Sequence, residues 1–216
     1  MKKSWIERQR QGVGMRTLFK HTSLLLFIPV ALALTACNEQ KSNTLPVKYA
    51  PIATLSANGI GPINGATPFN LHEITQVFQG YNVAQHTNFA DGNQYPVIEV
   101  NQGIKRLMTI NPDLKHDKVF SVMVQDNLIK NGLGHPIGMK FNEIYPKPKL
   151  DNCAPGMEDL EGRVLCYAPK AENVLYIFTG IWNGPNNALP PLDVLKDWQL
   201  ASIVWKPPVN KTLGKS

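Results

Sequence analysis

Apolar positions in the 216-residue chain fall into three patterns: one unbroken run, one helical stripe and a series of short alternating segments. The run covers residues 24–34 and includes Pro29. At eleven residues it is well short of the roughly 18 to 20 needed to cross a bilayer, and it has the length of a signal-peptide core. The helical stripe is Leu71, Ile74, Val77 and Phe78, with polar His72, Glu73 and Gln76 off that face. The pattern predicts a helix capped by Thr67, with Pro68 at its first position and Gly80 at its end. Alternation predicts strands over 81–85, 97–101, 105–110, 119–125, 163–167, 174–179 and 200–205. Asn101-Gln102-Gly103 is a hairpin turn between the second and third of these. Short helical pieces are expected at 139–145, stopped by Pro146, and at 192–197. Many short strands and few helices predict an α+β fold. It would be a mostly antiparallel sheet with one clear helix and one or two short helices.

An internal echo runs through this pattern. Gly59-Ile60-Gly61-Pro62-Ile63 precedes the first helix with Phe69-Asn70 and Glu73-Ile74. Gly132-Leu133-Gly134-His135-Pro136-Ile137 precedes the second with Phe141-Asn142 and Glu143-Ile144. Two related halves are one reading of the echo and coincidence is the other.

Charge changes the picture only until the N-terminus is set aside. The formal net charge is +6, yet residues 1–36 hold six of the 22 basic residues and one of the 16 acidic ones. The remainder carries 16 against 15, a net charge of +1, which removes the main support for nucleic-acid binding. A basic stretch before the apolar run and Leu34-Thr35-Ala36-Cys37 after it resemble a bacterial lipobox. On that reading residues 1–36 are a signal peptide, with Met15 as an alternative start. Cys37 becomes the lipidated first residue, whose acyl chains attach it to a membrane. Asn38 in place of Asp points to the outer membrane, on its periplasmic face. Residues 37–53 form a polar tether, 54–205 one folded domain and 206–216 a loose tail.

With Cys37 lipidated, Cys153 and Cys166 remain, in a compartment where thiols oxidise. Their spacing fits neither the common zinc patterns nor a redox pair two residues apart, so a structural disulfide is expected. Ala154-Pro155-Gly156 would supply a turn inside that loop.

Candidate chemistry is sparse. His72-Glu73-Ile74-Thr75-Gln76 opens like a zinc-protease helix, but Gln76 stands where the second imidazole is needed. The glycine pairs lack the third glycine and the βαβ context of a phosphate loop. Asp151, Glu158, Asp159 and Glu161 form an acidic loop without the spacing of a calcium site. His86, His116 and His135 are dispersed. No catalytic residue, metal or cofactor is expected. In the aromatic C-terminal block, Trp198 and Trp205 read as core residues beside the last strand. Trp182, on a Gly/Pro-rich turn, is the candidate binding residue, with turn packing as its alternative.

The lipobox, Gly59-Ile60-Gly61, Thr67-Pro68, Cys153 and Cys166 followed by Ala168-Pro169, and the block 178–205 together resemble a family. It is that of the sigma-E-regulated outer-membrane lipoproteins of enterobacteria, a domain of unknown function. The resemblance covers about residues 59–205 and implies a periplasm-facing lipoprotein of envelope stress, with no established catalytic residues. The function expected is therefore a non-enzymatic accessory or binding protein. Its partners would be the membrane and an envelope protein or peptidoglycan-associated component. A periplasmic hydrolase with an unfamiliar site is the alternative.

Overall fold

The alternating segments form strands, most of them longer than the pattern alone predicts. The computed structural model describes residues 50–208 apart from Asp91. The strands are β1 (Ala53–Ser56), β2 (Gly59–Ile60), β3 (Asn82–Ala90), β4 (Asn93–Gln102), β5 (Lys105–Pro112), β6 (Val119–Val124), β7 (Ile129–Asn131), β8 (Cys153–Pro155), β9 (Val164–Ala168), β10 (Ala171–Thr179) and β11 (Gln199–Trp205). The helices are α1 (Leu71–Val77), α2 (Phe141–Ile144) and α3 (Leu192–Leu195), with 3-10 turns at Leu150–Asn152 and Glu158–Leu160. Eight strands make one sheet in the order β3-β4-β5-β6-β11-β10-β9-β8, every pair antiparallel. A second sheet has the order β2-β1-β7, with β1 and β7 parallel. The fold is α+β and mostly antiparallel sheet. Among the described residues no helix is long and apolar enough to cross a membrane.

The eight-stranded order reads as two four-strand meanders meeting at their last strands, β6 and β11. Each meander follows a helix, α1 or α2, and the segment before each helix bridges onto the start of its own meander's last strand. Pro68 pairs with Lys118 and Lys140 with Gln199. The two glycine-led segments do not share this correspondence. Gly59 begins β2, antiparallel to β1, whereas Gly132 follows β7, parallel to β1. The echo thus extends to helix and meander but not to the glycines that open it.

One core fills the space between the inner sheet face and the remaining elements. Ile98, Val100, Met108, Ile110, Val122, Val124, Tyr176, Phe178, Ile203 and Trp205 cluster with Leu55, Ile60, Ile74, Phe141 and Leu195. Burial on this scale, at about 25 cal/mol per Å² of apolar surface, is the main force holding the sheet to the helices.

The first helix begins later than Thr67 and Pro68 suggest. Val119 N–H donates to the Thr67 carbonyl and Phe69 N–H to that of Asp117, so 67–69 is drawn into extended pairing. Asn70 is the cap instead, its Oδ1 accepting from the N–H groups of His72 (2.9 Å) and Glu73 (3.2 Å). The buried stripe is correspondingly narrower. Ile74 and Phe78 are buried, while Leu71 and Val77 are exposed at its edges.

Three more expectations shift. Ala154-Pro155 is not a turn but part of β8, paired with Leu165 and Val164. Ile52, placed in the tether, already donates to the Leu128 carbonyl, so the fold starts two residues earlier. Lys206, placed in the tail, donates its N–H to the Asn173 carbonyl and sets its ammonium 5.4 Å from the centre of the Phe120 ring. Residues 1–49 and 209–216, and with them Cys37, lie outside the described residues.

Candidate functional site

Antiparallel pairing brings three distant segments together where β10 ends. Phe178 lies opposite Val164 at the start of β9, and Thr179 opposite Gln199 at the start of β11. The residues just outside those strand ends are therefore neighbours: Arg163, Gly180 to Trp182, and Trp198. Of these, Arg163, Gly180, Trp182 and Trp198 line a cavity of about 30 Å³, closed by Pro190 and other residues of the loop between β10 and α3.

Glycine makes this arrangement possible. A Cβ on Gly180 would stand 2.2 Å from Cδ1 and 2.4 Å from Nε1 of Trp198. A Cβ on Gly184 would stand 2.1 Å from Cζ2 of Trp182. Each indole thus rests on a bare Cα, and any side chain there would displace the ring. The disulfide lies two residues along β9 from Val164 of the lining. Cys153 and Cys166 are bonded to each other and lie directly opposite in the β8–β9 ladder. Asn186 Nδ2 donates to Glu161 Oε1 at 3.2 Å, joining the β10–α3 loop to the turn inside the disulfide loop.

Polar groups of the lining include the side chains of Arg163, Asn186 and Trp198. Trp198 is 4% exposed, and its Nε1–H has no hydrogen-bond partner among the described residues. Trp205, equally buried, behaves in the usual way and donates its Nε1–H to the Ala57 carbonyl at 3.0 Å. A buried donor left alone costs about 1 to 3 kcal/mol. Arg163 is half-buried, and its guanidinium makes no ion pair among the described residues. The Trp198 N–H is closed off by Gly180, so among the described residues the cavity's open polar groups are those of Arg163 and Asn186.

Trp182 lines the cavity and at the same time packs on Gly184 and against the core, which is its turn-packing alternative. Trp198 is a core residue, as expected, and its ring also borders the cavity. The signal for Trp198 lay in Gly180, but only the fold shows which ring that glycine accommodates. The histidines do not gather. His86 Nε2 stands 3.6 Å from Glu99 Oε2, whose other oxygen meets Arg106 Nη2 at 2.6 Å, on the first meander. His116 occupies the β5–β6 turn with a φ of 58°. His135 belongs to a third network, after β7. The Glu158–Leu160 turn carries part of the acidic loop, and no group of three or more His, Cys, Asp or Glu placed to hold a metal lies among the described residues.

That third network links β7 to β10. Asn131 Nδ2 donates to the His135 carbonyl (2.7 Å) and to the Tyr176 hydroxyl (2.9 Å), which meets His135 Nδ1 at 2.9 Å. With Asn131 donating to it, the hydroxyl is free to donate to an unprotonated Nδ1. Burial pushes the Tyr176 phenol up and the His135 imidazole down from 6.5. Folding therefore opposes protonation of His135. Its contribution is complete above the unfolded value of 6.5 and is lost as pH falls through the lower folded value. The unfolding midpoint should decline with pH in that window, and His135→Gln should flatten the decline. An unchanged slope in the variant would remove His135 as its source.

Known proteins match most of the chain. The family model described as "Protein of unknown function (DUF1131)" matches residues 40–207. The uncharacterized protein YfeY of Escherichia coli (strain K12) is 28% identical over 188 residues, covering 84% of this chain and 97% of that protein. The crystal structure of uncharacterized yfeY from Escherichia coli matches with a TM-score of 0.62 and 29% identity, covering 71% of this chain and 99% of that one.

Proposed function

The chain belongs to the DUF1131 family of proteins of unknown function, and from that premise we propose an outer-membrane-anchored, periplasm-facing lipoprotein. Its folded domain binds an envelope component and carries out no reaction. The envelope-stress role implied by the sequence resemblance belongs to the same proposal. One observation carries it: all three cysteines are accounted for. Two are joined in a disulfide, which fits an oxidising compartment. The third ends the lipobox at Cys37. The small cavity lined by Trp182, Arg163 and Asn186 supports binding as the domain's work.

The test is Cys37→Ala in cells fed a labelled fatty acid. The variant should lose the label and move from the membrane to the soluble periplasmic fraction. Label retained in the variant would overturn the anchor. Several acyl chains at about 0.8 kcal/mol per buried methylene make the attachment effectively permanent, so the redistribution should be nearly complete.

A further inference from the structure

We infer that β3 is a docking edge for a second copy of this chain, the two β3 strands pairing antiparallel about a two-fold axis at His86. β3 runs nine residues, Asn82–Ala90, at one end of the eight-stranded sheet, and among the described residues it pairs with β4 alone. Its other side is a row of backbone donors and acceptors on which a further strand can add. Sheet edges are ordinarily protected by brevity, proline, lysine or a bulge. The opposite edge of this sheet is protected in that way: β8 has three residues, ends in Pro155 and is bonded to β9 through the disulfide. At the edges of the second sheet, β2 and β7 have two and three residues. β3 has none of these protections. It holds no Pro, Lys, Arg, Asp or Glu. All nine of its residues pair with β4 without a register shift, and Gln85, His86 and Thr87 are exposed in succession.

The strand supplies its own complement. Opposed residues of an antiparallel pair share a face, so a two-fold axis normal to the sheet must pass through a residue. The register that engages the whole strand places it at His86, the midpoint of Asn82–Ala90. Val83 then lies opposite Phe89 of the second copy, and Phe89 opposite that copy's Val83. Val83 pairs with Val100 of β4 and packs against the core. Phe89 has the same parity but is 63% exposed. In the pair each Phe89 ring leaves water for a Val83 at the margin of the other core, an aromatic and a β-branched side chain meeting in each half of the junction. The strand's one titratable side chain, His86, has Glu99 Oε2 at 3.6 Å from its Nε2, so each imidazole on the axis carries a carboxylate beside it. An edge of nine residues is about 30 Å long and about 10 Å thick, so the pair buries about 600 Å² over both copies. Stable complexes begin near about 1,200 Å², which makes this a weak pair in free solution. The axis keeps the second sheet of both copies on one side, so both chains can start from one membrane, where anchoring raises their effective concentration. That membrane step rests on the anchor proposed above; the pairing does not.

The experiment is disulfide trapping of the full chain, purified in detergent and concentrated, with a mild oxidant. Opposed residues of an antiparallel pair have Cβ atoms about 4.5 to 5.5 Å apart, close enough for a disulfide to form after a small adjustment. His86→Cys should give a covalent dimer by itself. Val83→Cys and Phe89→Cys should each stay monomeric alone and give a mixed dimer when combined. The unsubstituted chain controls for Cys37, and only dimer above its level counts. Phe89→Lys added to His86→Cys should leave the unfolding midpoint unchanged and reduce the trapped dimer about tenfold, because both halves of the junction lose their apolar pair at once. No dimer at His86→Cys, or a dimer there without the mixed one, overturns the inference. Equal trapping at 83, 86 and 89 alone is random collision and overturns it as well, and so does a dimer that Phe89→Lys leaves undiminished. A chain found without lipid at Cys37 loses the membrane step and leaves the pairing in detergent to stand or fall on these results.

Discussion

Trp205→Ala is expected to lower the unfolding free energy by about 3 to 5 kcal/mol, the range for emptying a buried aromatic position. Trp205 is fully buried in the core cluster, at the end of β11. It pairs with Val174 of β10 on one side and Val122 of β6 on the other. Its indole also fastens the second sheet to the first through the Ala57 carbonyl in the β1–β2 turn. Trp205→Phe should cost much less. It keeps most of the volume, and the Ala57 carbonyl still accepts from Asn173 Nδ2 at 2.7 Å. Urea unfolding of both variants checks the contrast. Equal losses in the two would mean that the hydrogen bond, not the packing, dominates.

Reduction of the Cys153–Cys166 bridge should lower stability by about 2 to 4 kcal/mol while the sheet survives. The bridge spans a sequence separation of 13, and closing a loop of that size contributes roughly 3 kcal/mol on the chain-entropy estimate. It ties β8, the edge strand, to β9. The loss should therefore fall first on β8 and the turn through Glu158–Leu160, the wall that carries Arg163. Amide exchange with and without reductant would show that order, and intact mass with peptide mapping would verify the pairing. An unfolding midpoint indifferent to reductant would mean the ladder alone holds the edge.

Strands with one face in the core were legible in the sequence, because period-two alternation is the direct imprint of half-burial. Residues 119–125 come closest to that kind, whereas 107–110 and 176–178 are buried in unbroken runs and were found by their apolar content. The strands missed were β1, β2, β7 and β8, of two to four residues each. Such lengths hold no period, and these strands exist through their partners. Ala53–Ser56 is extended because β2 and β7 pair on either side of it. The start of α1 was misplaced for a related reason. Thr67 and Pro68 are good local signals, but the ladder with 117–119 overrides them and leaves the cap to Asn70. The site was legible only in part. Trp182 stood out between two glycines, whereas Arg163 and Trp198 lie in segments that only the pairing of β9, β10 and β11 brings together.

The junction of the two meanders has a consequence for the order in which the chain is made. On the exported reading proposed above, the chain leaves the membrane channel N-terminus first, and its strands become free to pair in sequence order. β3 to β6 can form a four-stranded meander early, with local hairpins only. The partner of β6 is the last strand of all. Its register, Val122 with Trp205, Met123 with Val204 and Val124 with Ile203, cannot be set until residue 205 has emerged. Through the intervening eighty residues, β6 presents an open edge bearing Val122 and Val124, which are both core residues. Such an edge invites pairing with any other strand it meets. A chain cut short before β11 would leave that edge, and the facing edge of β10, permanently uncovered. The strand that arrives last is the one that makes two sheets into one.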